Sequence, residues 1–539
     1  MARGFILQPT HRVRDGRCVV QLYGRLEDGR PFLVEDDRAR PYGFVAEEAA
    51  RAASGLSGLH VEECALRDLA GRPVVRVVAD TPDRLVDARR QLESRGYALL
   101  EGDVRLAYRY LMDHGVRGAV AIEGDSQERR PGDGPALVLY RNPRIGPTDL
   151  RPALRTLSLD IETSPDASVV FSIALAGNGL EEVHLVAPGP VEGGVSHRDE
   201  RTLLQTCIER IRAIDPDVII GWNVVDFDLR VLDRRCRAVG IRFAPGRSGE
   251  RVSFQSDATF TRQGRASVPG RMVLDGIALV RDAIRLEDYR LETVAQAILG
   301  RGKKIDHEVA DAAAEIERLY REDPAALVAY NLEDARLVLE ILDREDLMAL
   351  AVERSLLSGM QLDRVGASIA SFDMAYLPEL HDAGYAAPSV ESERKHGPLR
   401  GGAVLDSMPG LFRSVAVYDF KSLYPSLIRT FDLDPLAHAR SADDPDPVRA
   451  PNGASFARRG GILPRIIERF MVRRDAARER GDRHADQAIK IMMNSLYGVL
   501  GSGACRFFDP GIANAITGFG QQILGWTRDA LVESGMEVV

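Results

Sequence analysis

The chain has 539 residues, 45% of them hydrophobic and 28% charged, with a formal net charge of −9. That length predicts three or four domains at roughly 150 residues each, and the composition is that of a well-cored water-soluble protein. No apolar run approaches the roughly 18 residues of a membrane span, and the opening MARGFILQPTHRV carries no signal-peptide pattern. Five scattered cysteines (Cys18, Cys64, Cys207, Cys236, Cys505) with no CxxC pair exclude a disulfide framework and a structural zinc or iron–sulfur site, and predict a cytoplasmic protein.

Residues 1–150 read as a mixed, turn-rich β domain, with strand-like runs such as CVVQLYG and PVVRVVAD, no chemical motif, and a connector at 124–138. From 151 to 365 strand and helix patterns alternate, which predicts an α/β domain. In RTLSLDIET, Leu157, Leu159 and Ile161 point one way and Ser158, Asp160 and Glu162 the other, so two carboxylates share one face at a strand end. On its own that is an ordinary polar strand face. DPDVIIGWNVVDFDLRVL predicts a buried strand at Val218–Ile220, then Gly221, Asn223 and Phe227, with Asp228 opening a helix. An acid there is usually just a dipole partner. In ALVAYNLEDARLVLEIL the spacing of Leu327, Tyr330, Asp334, Leu337 and Ile341 puts Asp334 inside an apolar stripe one turn after Tyr330. A carboxylate aimed at a core needs a partner, an arginine or a metal ion. Asp160, Glu162, Asp228 and Asp334 together offer four hard oxygen donors, suited to Mg²⁺ or Mn²⁺, two ions to a site. Tyr330 is placed to orient a water.

Beyond 365, the Gly/Pro-rich HGPLRGGAV (396–404) marks a boundary, and VAVYDFKSLYPSLI predicts a strand delivering Asp419 to a Tyr-Pro turn. Residues 440–461 read as a long polar loop. An αα-hairpin follows around Gly481, its second helix ending at Gly498. Between Arg458 and Lys490 ten Arg/Lys face five acids, usually the mark of a solvated helix surface. Here Arg474 and Arg478 lie four apart on one helix, and Lys490, Asn494 and Tyr497 share a face of the other. Lysine is rare in the chain, five against 66 arginines, and cations on facing helices suit a triphosphate.

The order DIE, N-x3-F-D and Y-x3-D resembles the three motifs of proofreading 3′→5′ exonucleases. DFKSLYPS and K-x3-N-S-x-Y-G resemble motifs A and B of the family B DNA polymerases, and the resemblance, strongest to the bacterial branch of that family, runs along essentially the whole chain. It implies a multidomain α/β and α+β fold. The N-terminal domain would cover 1–150 and contact template, and an RNase H-like exonuclease domain would cover 151–365. A palm would occupy 366–455 and continue at 501–539, with a helical-hairpin fingers domain at 456–500. It also implies that Asp419, helped by the Phe420 carbonyl, binds metal, and that Tyr424 packs under the incoming sugar. Arg474, Arg478 and Lys490 would hold the triphosphate, and Asn494 and Tyr497 would line the nascent pair. Gly401 and Gly402, with Asn223 and Phe227, would touch DNA. Partners would be primer–template and deoxynucleoside triphosphates, with a sliding clamp as a further candidate, for a monomer acting at the nucleoid and not at a membrane.

The family's third motif, Y-G-D-T-D-S, does not occur. DPD (215–217), DLD (432–434) and DDPD (443–446) sit in turn-like contexts, and the chain ends ALVESGMEVV, read as a helix, a Gly535 cap and the opening of a strand. The expectation is a truncated polymerase whose remaining metal-binding acids would lie just past Val539, with synthesis impaired. A stand-alone exonuclease and a catalytically silent DNA-binding scaffold are the competing expectations, the scaffold disfavoured by four converging acids.

Overall fold

The computed structural model describes residues 1–130, 135–255, 264–302, 309–390, 398–399, 401–402 and 408–539. Parts of the expected connector at 124–138 and boundary at 396–404 lie outside them. Among the described residues no helix is long and apolar enough to cross a membrane.

Residues 2–147 build a seven-stranded sheet around Ala2–Arg14, which pairs antiparallel with Arg17–Leu26 and with Ala119–Glu123. A smaller sheet of Tyr42–Ala46, Pro73–Ala79 and Leu59–Arg67 stands beside it. Strand side chains alternate between faces, and in Ala2–Arg14 each face meets a different core. Ile6 packs with Leu106, Leu111 and Phe372, whereas Phe5 and Leu7 pack with Val218, Ile220, Leu337 and Ile341. The expected connector holds a strand of its own, Ser126–Arg129, paired with Leu137–Arg141.

The second unit is a six-stranded sheet in the order Val195–His197, Leu180–Val186, Val170–Gly177, Thr156–Thr163, Val218–Gly221, Met272–Asp275. Thr156–Thr163 runs antiparallel to Val170–Gly177 and parallel to Val218–Gly221. The helix Glu200–Ile214 covers one face, and Pro324–Arg344 lies across the other. Three antiparallel strands leading into parallel ones, with helices on both faces, is the RNase H-like arrangement expected for this region.

From 368 onward the chain is mainly helical: Ser368–Asp382, Leu423–Thr430, the hairpin Ile462–Glu479 and Arg483–Leu500, and Pro510–Glu533. The hairpin turns at Gly481, whose φ is +70°. Four expectations need correction here. Residues 415–419 form no strand; they are extended and exposed, with Val417 89% and Tyr418 72% accessible. A strand satisfies its backbone only through a neighbour, and none pairs with this segment among the described residues. For the same reason Met536–Val539 is not a strand, although Gly535 does cap the preceding helix at φ +81°. Tyr424 and Pro425 lie in the first turn of a helix, where proline sacrifices no intrahelical donor. The second hairpin helix runs through Gly498 to Leu500, because Val499 and Leu500 are buried and hold it to the core. The 440–461 loop closes on a two-residue ladder, Val448–Arg449 with Ser455–Phe456.

The two sheets are joined by buried charge. Asp217 accepts from Arg25 Nε at 2.9 Å, Arg247 Nη2 at 2.8 Å and the Arg155 amide at 3.0 Å. Asp215 accepts from Arg247 Nε and Arg271 Nη1, both at 2.8 Å. Burial, then the neighbouring Arg247 charge, pushes the Arg271 guanidinium down to about 9. Two carboxylates thus serve three buried guanidiniums, so removing one charge strands several others. Asp217→Asn should cost on the order of 3–5 kcal/mol, read as a thermal midpoint several degrees lower. A midpoint within a degree of wild type would mean that the cluster is not what holds the sheets together.

Candidate active sites

The first site forms where the helix Pro324–Arg344 crosses the strand Thr156–Thr163. Leu157, Leu159 and Ile161 fill the core on one side of the sheet. That turns Asp160 and Glu162 toward the helix, where Asp334 faces them from within its apolar stripe. One carboxylate oxygen from each of Asp160, Glu162 and Asp334 lies within 4.8 Å of the others, and Glu162 and Asp334 are buried. Among the described residues this is the one group of three or more side chains able to hold a metal ion. Three carboxylates so close cannot all ionise cheaply without a compensating cation, and an all-oxygen donor set suits a hard divalent one. The residues fit such an ion.

Asp228 opens the helix Asp228–Ala238 and is brought to the same strand but not into the three-acid group. Its Oδ1 accepts from the Ile161 amide at 3.1 Å, between the two strand acids. Gly221 permits this approach, since a Cβ there would stand 2.5 Å from the Leu159 carbonyl oxygen. Tyr330 is buried one helical turn before Asp334. Asn223, at φ +63°, and Phe227, 39% exposed, stand on the loop leading to Asp228.

Two residues escaped the sequence reading. Asn331 Nδ2 donates to Asp160 Oδ2 at 2.7 Å, while its Oδ1 accepts from Ser172 Oγ at 2.8 Å. The signal was its place beside Tyr330 on the buried side of the helix. Asp275 caps the helix Gly276–Ala283 and accepts from the Asn223 amide at 3.3 Å. Nothing in its surroundings in the sequence marked it.

In the second region the basic hairpin is organised by an acid. Asp486 Oδ1 accepts from Arg474 Nε at 2.7 Å and from Arg478 Nε at 2.9 Å, and Arg474 Nη1 also donates to Ser422 Oγ at 3.2 Å. Asp486 lies one turn before Lys490 on the face that continues to Asn494 and Tyr497, a spacing that could have revealed it. Lys490 and Asn494 are exposed. Tyr497 stacks on Tyr424 with ring centroids 4.2 Å apart. A Cβ on Gly402 would lie 3.2 Å from the Tyr424 hydroxyl, and the Gly401 carbonyl accepts from Gln521 Nε2 at 2.8 Å. Asp419 is exposed and Phe420 half-buried on the extended segment.

The acids passed over as turn residues are committed elsewhere. Asp215 and Asp217 lie in the arginine cluster. Asp434 accepts from the Tyr376 hydroxyl and from the Ala437, Ile462 and Leu463 amides. Asp444 and Asp446 hold Arg458.

Comparison with known proteins follows the same division. Residues 97–294 match the family model for the exonuclease domain of DNA polymerase family B, and residues 366–538 match the model for DNA polymerase family B. DNA polymerase II of Escherichia coli (strain K12) is 36% identical, over 99% of this chain and 69% of the relative. The chain belongs to the family B DNA polymerases. DNA polymerase 2 of Aeropyrum pernix is 26% identical, over 99% of the chain and 70% of its own length. The solved family B polymerase of Pyrobaculum calidifontis superposes with a TM-score of 0.80 at 27% identity, covering 100% of this chain and 73% of that one. The helix Leu106–Asp113 and the strand Ala119–Glu123 therefore fall inside the stretch matched by the family's exonuclease model.

Burial raises the Asp228 carboxyl to about 7, with the Asp275 charge adding to it and two amide bonds opposing. Burial likewise raises Asp275 to about 6. In the unfolded chain both ionise near pH ~4. Through the window from there to about 7 the folded protein keeps protons that the unfolded chain releases, so stability falls as pH rises. Without divalent ions the thermal midpoint should drop between about pH 5 and pH 8. Asp228→Asn, which keeps the acceptor for Ile161 but cannot ionise, should remove much of that drop and melt above wild type at the higher pH. An identical pH profile in the variant would refute this origin.

Proposed function

We propose that the chain is a DNA-directed DNA polymerase with a proofreading 3′→5′ exonuclease, and that hydrolysis belongs to Asp160, Glu162, Asp228, Tyr330 and Asp334. The observation that carries this reading is the three-carboxylate group inside an RNase H-like sheet. With a divalent cation, Mg²⁺ or Mn²⁺, held by Asp160, Glu162 and Asp334, the site gains Lewis-acid stabilisation of charge on the scissile phosphodiester. The Tyr330 hydroxyl orients the attacking water, and Asn331 fixes the Asp160 rotamer by its hydrogen bond. Phe227 offers an exposed ring for a terminal base to stack on, and Asn223 a polar contact beside it. Asp228 holds the strand between the two acids in place through the Ile161 amide.

For synthesis, Asp419 and the Phe420 carbonyl are the metal ligands of the polymerase site. Arg474, Arg478 and Lys490 bind the triphosphate, with Asp486 pre-orienting the two guanidiniums. The Tyr424–Tyr497 stack supports a floor under the incoming sugar and base pair, beside Asn494, and Gly402 lets template backbone pass close to it, with Gly401 adjoining. The division at 151–365 for the exonuclease, 366–455 and 501–539 for the palm and 456–500 for the fingers is part of the same proposal. So are a monomeric state, action at the cytoplasmic nucleoid and a sliding clamp as accessory partner.

Asp419 stands in no group of three metal-ligating side chains among the described residues, so shortening should outpace extension. The test is a 5′-labelled primer–template incubated with Mg²⁺, with and without the four deoxynucleotides. Wild type should shorten the primer in the lane without nucleotides, and Asp160→Ala/Glu162→Ala should slow this by at least ~10². No shortening by wild type would reject the exonuclease assignment. Extension that disappears in Asp419→Ala would support the polymerase assignment. The imbalance between the two carboxylate sites favours a second reading, a stand-alone 3′→5′ exonuclease, and extension absent with either Mg²⁺ or Mn²⁺ would select it.

A further inference from the structure

The basic run that marks the hairpin is not consumed by the nucleotide-facing side. Arg474 and Arg478 share Asp486, Arg465 and Arg469 share Glu379, and Arg458 holds Asp446. Arg473 and Arg480 stand seven apart, two turns along one face of the helix Ile462–Glu479 and its C-cap. Both are exposed, and neither has an ion pair within 4 Å among the described residues. Both open onto a cavity of about 760 Å³ between the hairpin, the end of the N-terminal sheet and the helices Leu347–Ser358 and Ser368–Asp382.

Arg117 and Arg151 line the same cavity. Arg151 is already paired with Glu353 and Asp482. Among the described residues Arg117 is in no ion pair, and its one side-chain bond is a long donation, 3.4 Å, from Nη1 to the Leu357 carbonyl. Burial, then the charges of Arg469 and Arg473, pulls its pKa below the usual guanidinium range, with Glu379 opposing. A largely desolvated guanidinium facing others of like charge is costly unless an anion joins it. Four guanidiniums and two carboxylates, Asp149 and Glu353, line the cavity; Glu353 and the nearby Asp482 are spent on Arg151, and Glu379, outside the lining, is held by Arg465 and Arg469.

We propose that this cavity is a phosphate-binding site, separate from the nucleotide-facing side of the hairpin, in which Arg117, Arg473 and Arg480 clasp one phosphate-bearing anion. Guanidinium forks match phosphate oxygens in pairs, and the volume is that of a small-molecule site. The phosphate comes either from a free anion, such as pyrophosphate or a nucleotide, or from the backbone of a nucleic-acid strand. Either occupant would tie the hairpin to the N-terminal sheet and limit its movement.

The test titrates pyrophosphate into the full chain by calorimetry, without divalent ions or DNA. Wild type should bind. Arg473→Gln/Arg480→Gln, two exposed changes that leave the core intact, should weaken binding at least ~10-fold, the worth of one or two charge-assisted contacts. Arg474→Gln/Arg478→Gln, which removes whatever pyrophosphate binds on the triphosphate-facing side, should keep the Arg473/Arg480-dependent binding, since Arg474 and Arg478 do not line the cavity. Arg117→Met should lose binding without a lower thermal midpoint, because it removes an unpaired charge. No binding up to about 10 mM, or loss in the Arg474/Arg478 variant with retention in the Arg473/Arg480 variant, would overturn the site. A short single-stranded oligodeoxynucleotide then separates the sources. Displacement of pyrophosphate in the Arg474→Gln/Arg478→Gln background supports the site with a strand as occupant; coexistence supports it with a free anion.

Discussion

Asp160 and Asp334 are 174 residues apart in sequence and meet because the helix Pro324–Arg344 lies across the strand Thr156–Thr163. The contact is made by ordinary apolar packing: Leu337 and Ile341 reach one core, Leu327 packs with Phe171, and Val328 and Ala335 pack with Ala174 and Leu185. That packing carries the acids along. Hydrophobic burial supplies the free energy that holds three carboxylates closer than they would choose to be, and the cation they favour relieves a strain that the core imposes. Asn331 and Ser172 stiffen the arrangement, because each amide and hydroxyl has one partner it cannot exchange without breaking the next.

The two candidate sites differ in how completely the described chain builds them. At the three-carboxylate group, strand, helix and neighbouring loop all close on one point. Around Asp419, the hairpin, the tyrosine stack and the Gly401–Gly402 backbone are assembled, yet the acid stands on an exposed segment with no neighbouring strand among the described residues. Helices satisfy their own backbone and form wherever one face can be buried; a strand is only as good as what lies beside it.

That difference also explains what could be read from the amino acids alone. The D-x-E alternation, the helix opening at Asp228 and the stripe around Asp334 are local periodicities, and the structure realises each of them. Asp275 acts through a partner distant in sequence, so no local pattern announces it, whereas Asn331 had a local signal in its place beside Tyr330 on the buried side of the helix. Asp486 had a local signal, its place one turn before Lys490, that was hidden among the other charges of the hairpin. The expected strand at 415–419 had the right pattern and finds no partner among the described residues, which a pattern cannot report. The end of the second hairpin helix was misplaced because Gly498 reads as a stop, whereas burial of Val499 and Leu500 carries the helix past it.

The strand Ala2–Arg14 divides its side chains between two cores, and this bears on the order in which the protein can be made. Phe5 and Leu7 leave the ribosome some 330 residues before Leu337 and Ile341, which enclose them. At roughly 5–20 residues per second that is a wait of about 15–65 s. For that time a β-rich segment has an apolar face with no permanent cover, and an incomplete chain is open to chaperones, to proteases and to other nascent copies of itself. Growth temperature and translation speed should therefore affect the yield of folded protein through this strand more than through the carboxylate group or the basic hairpin.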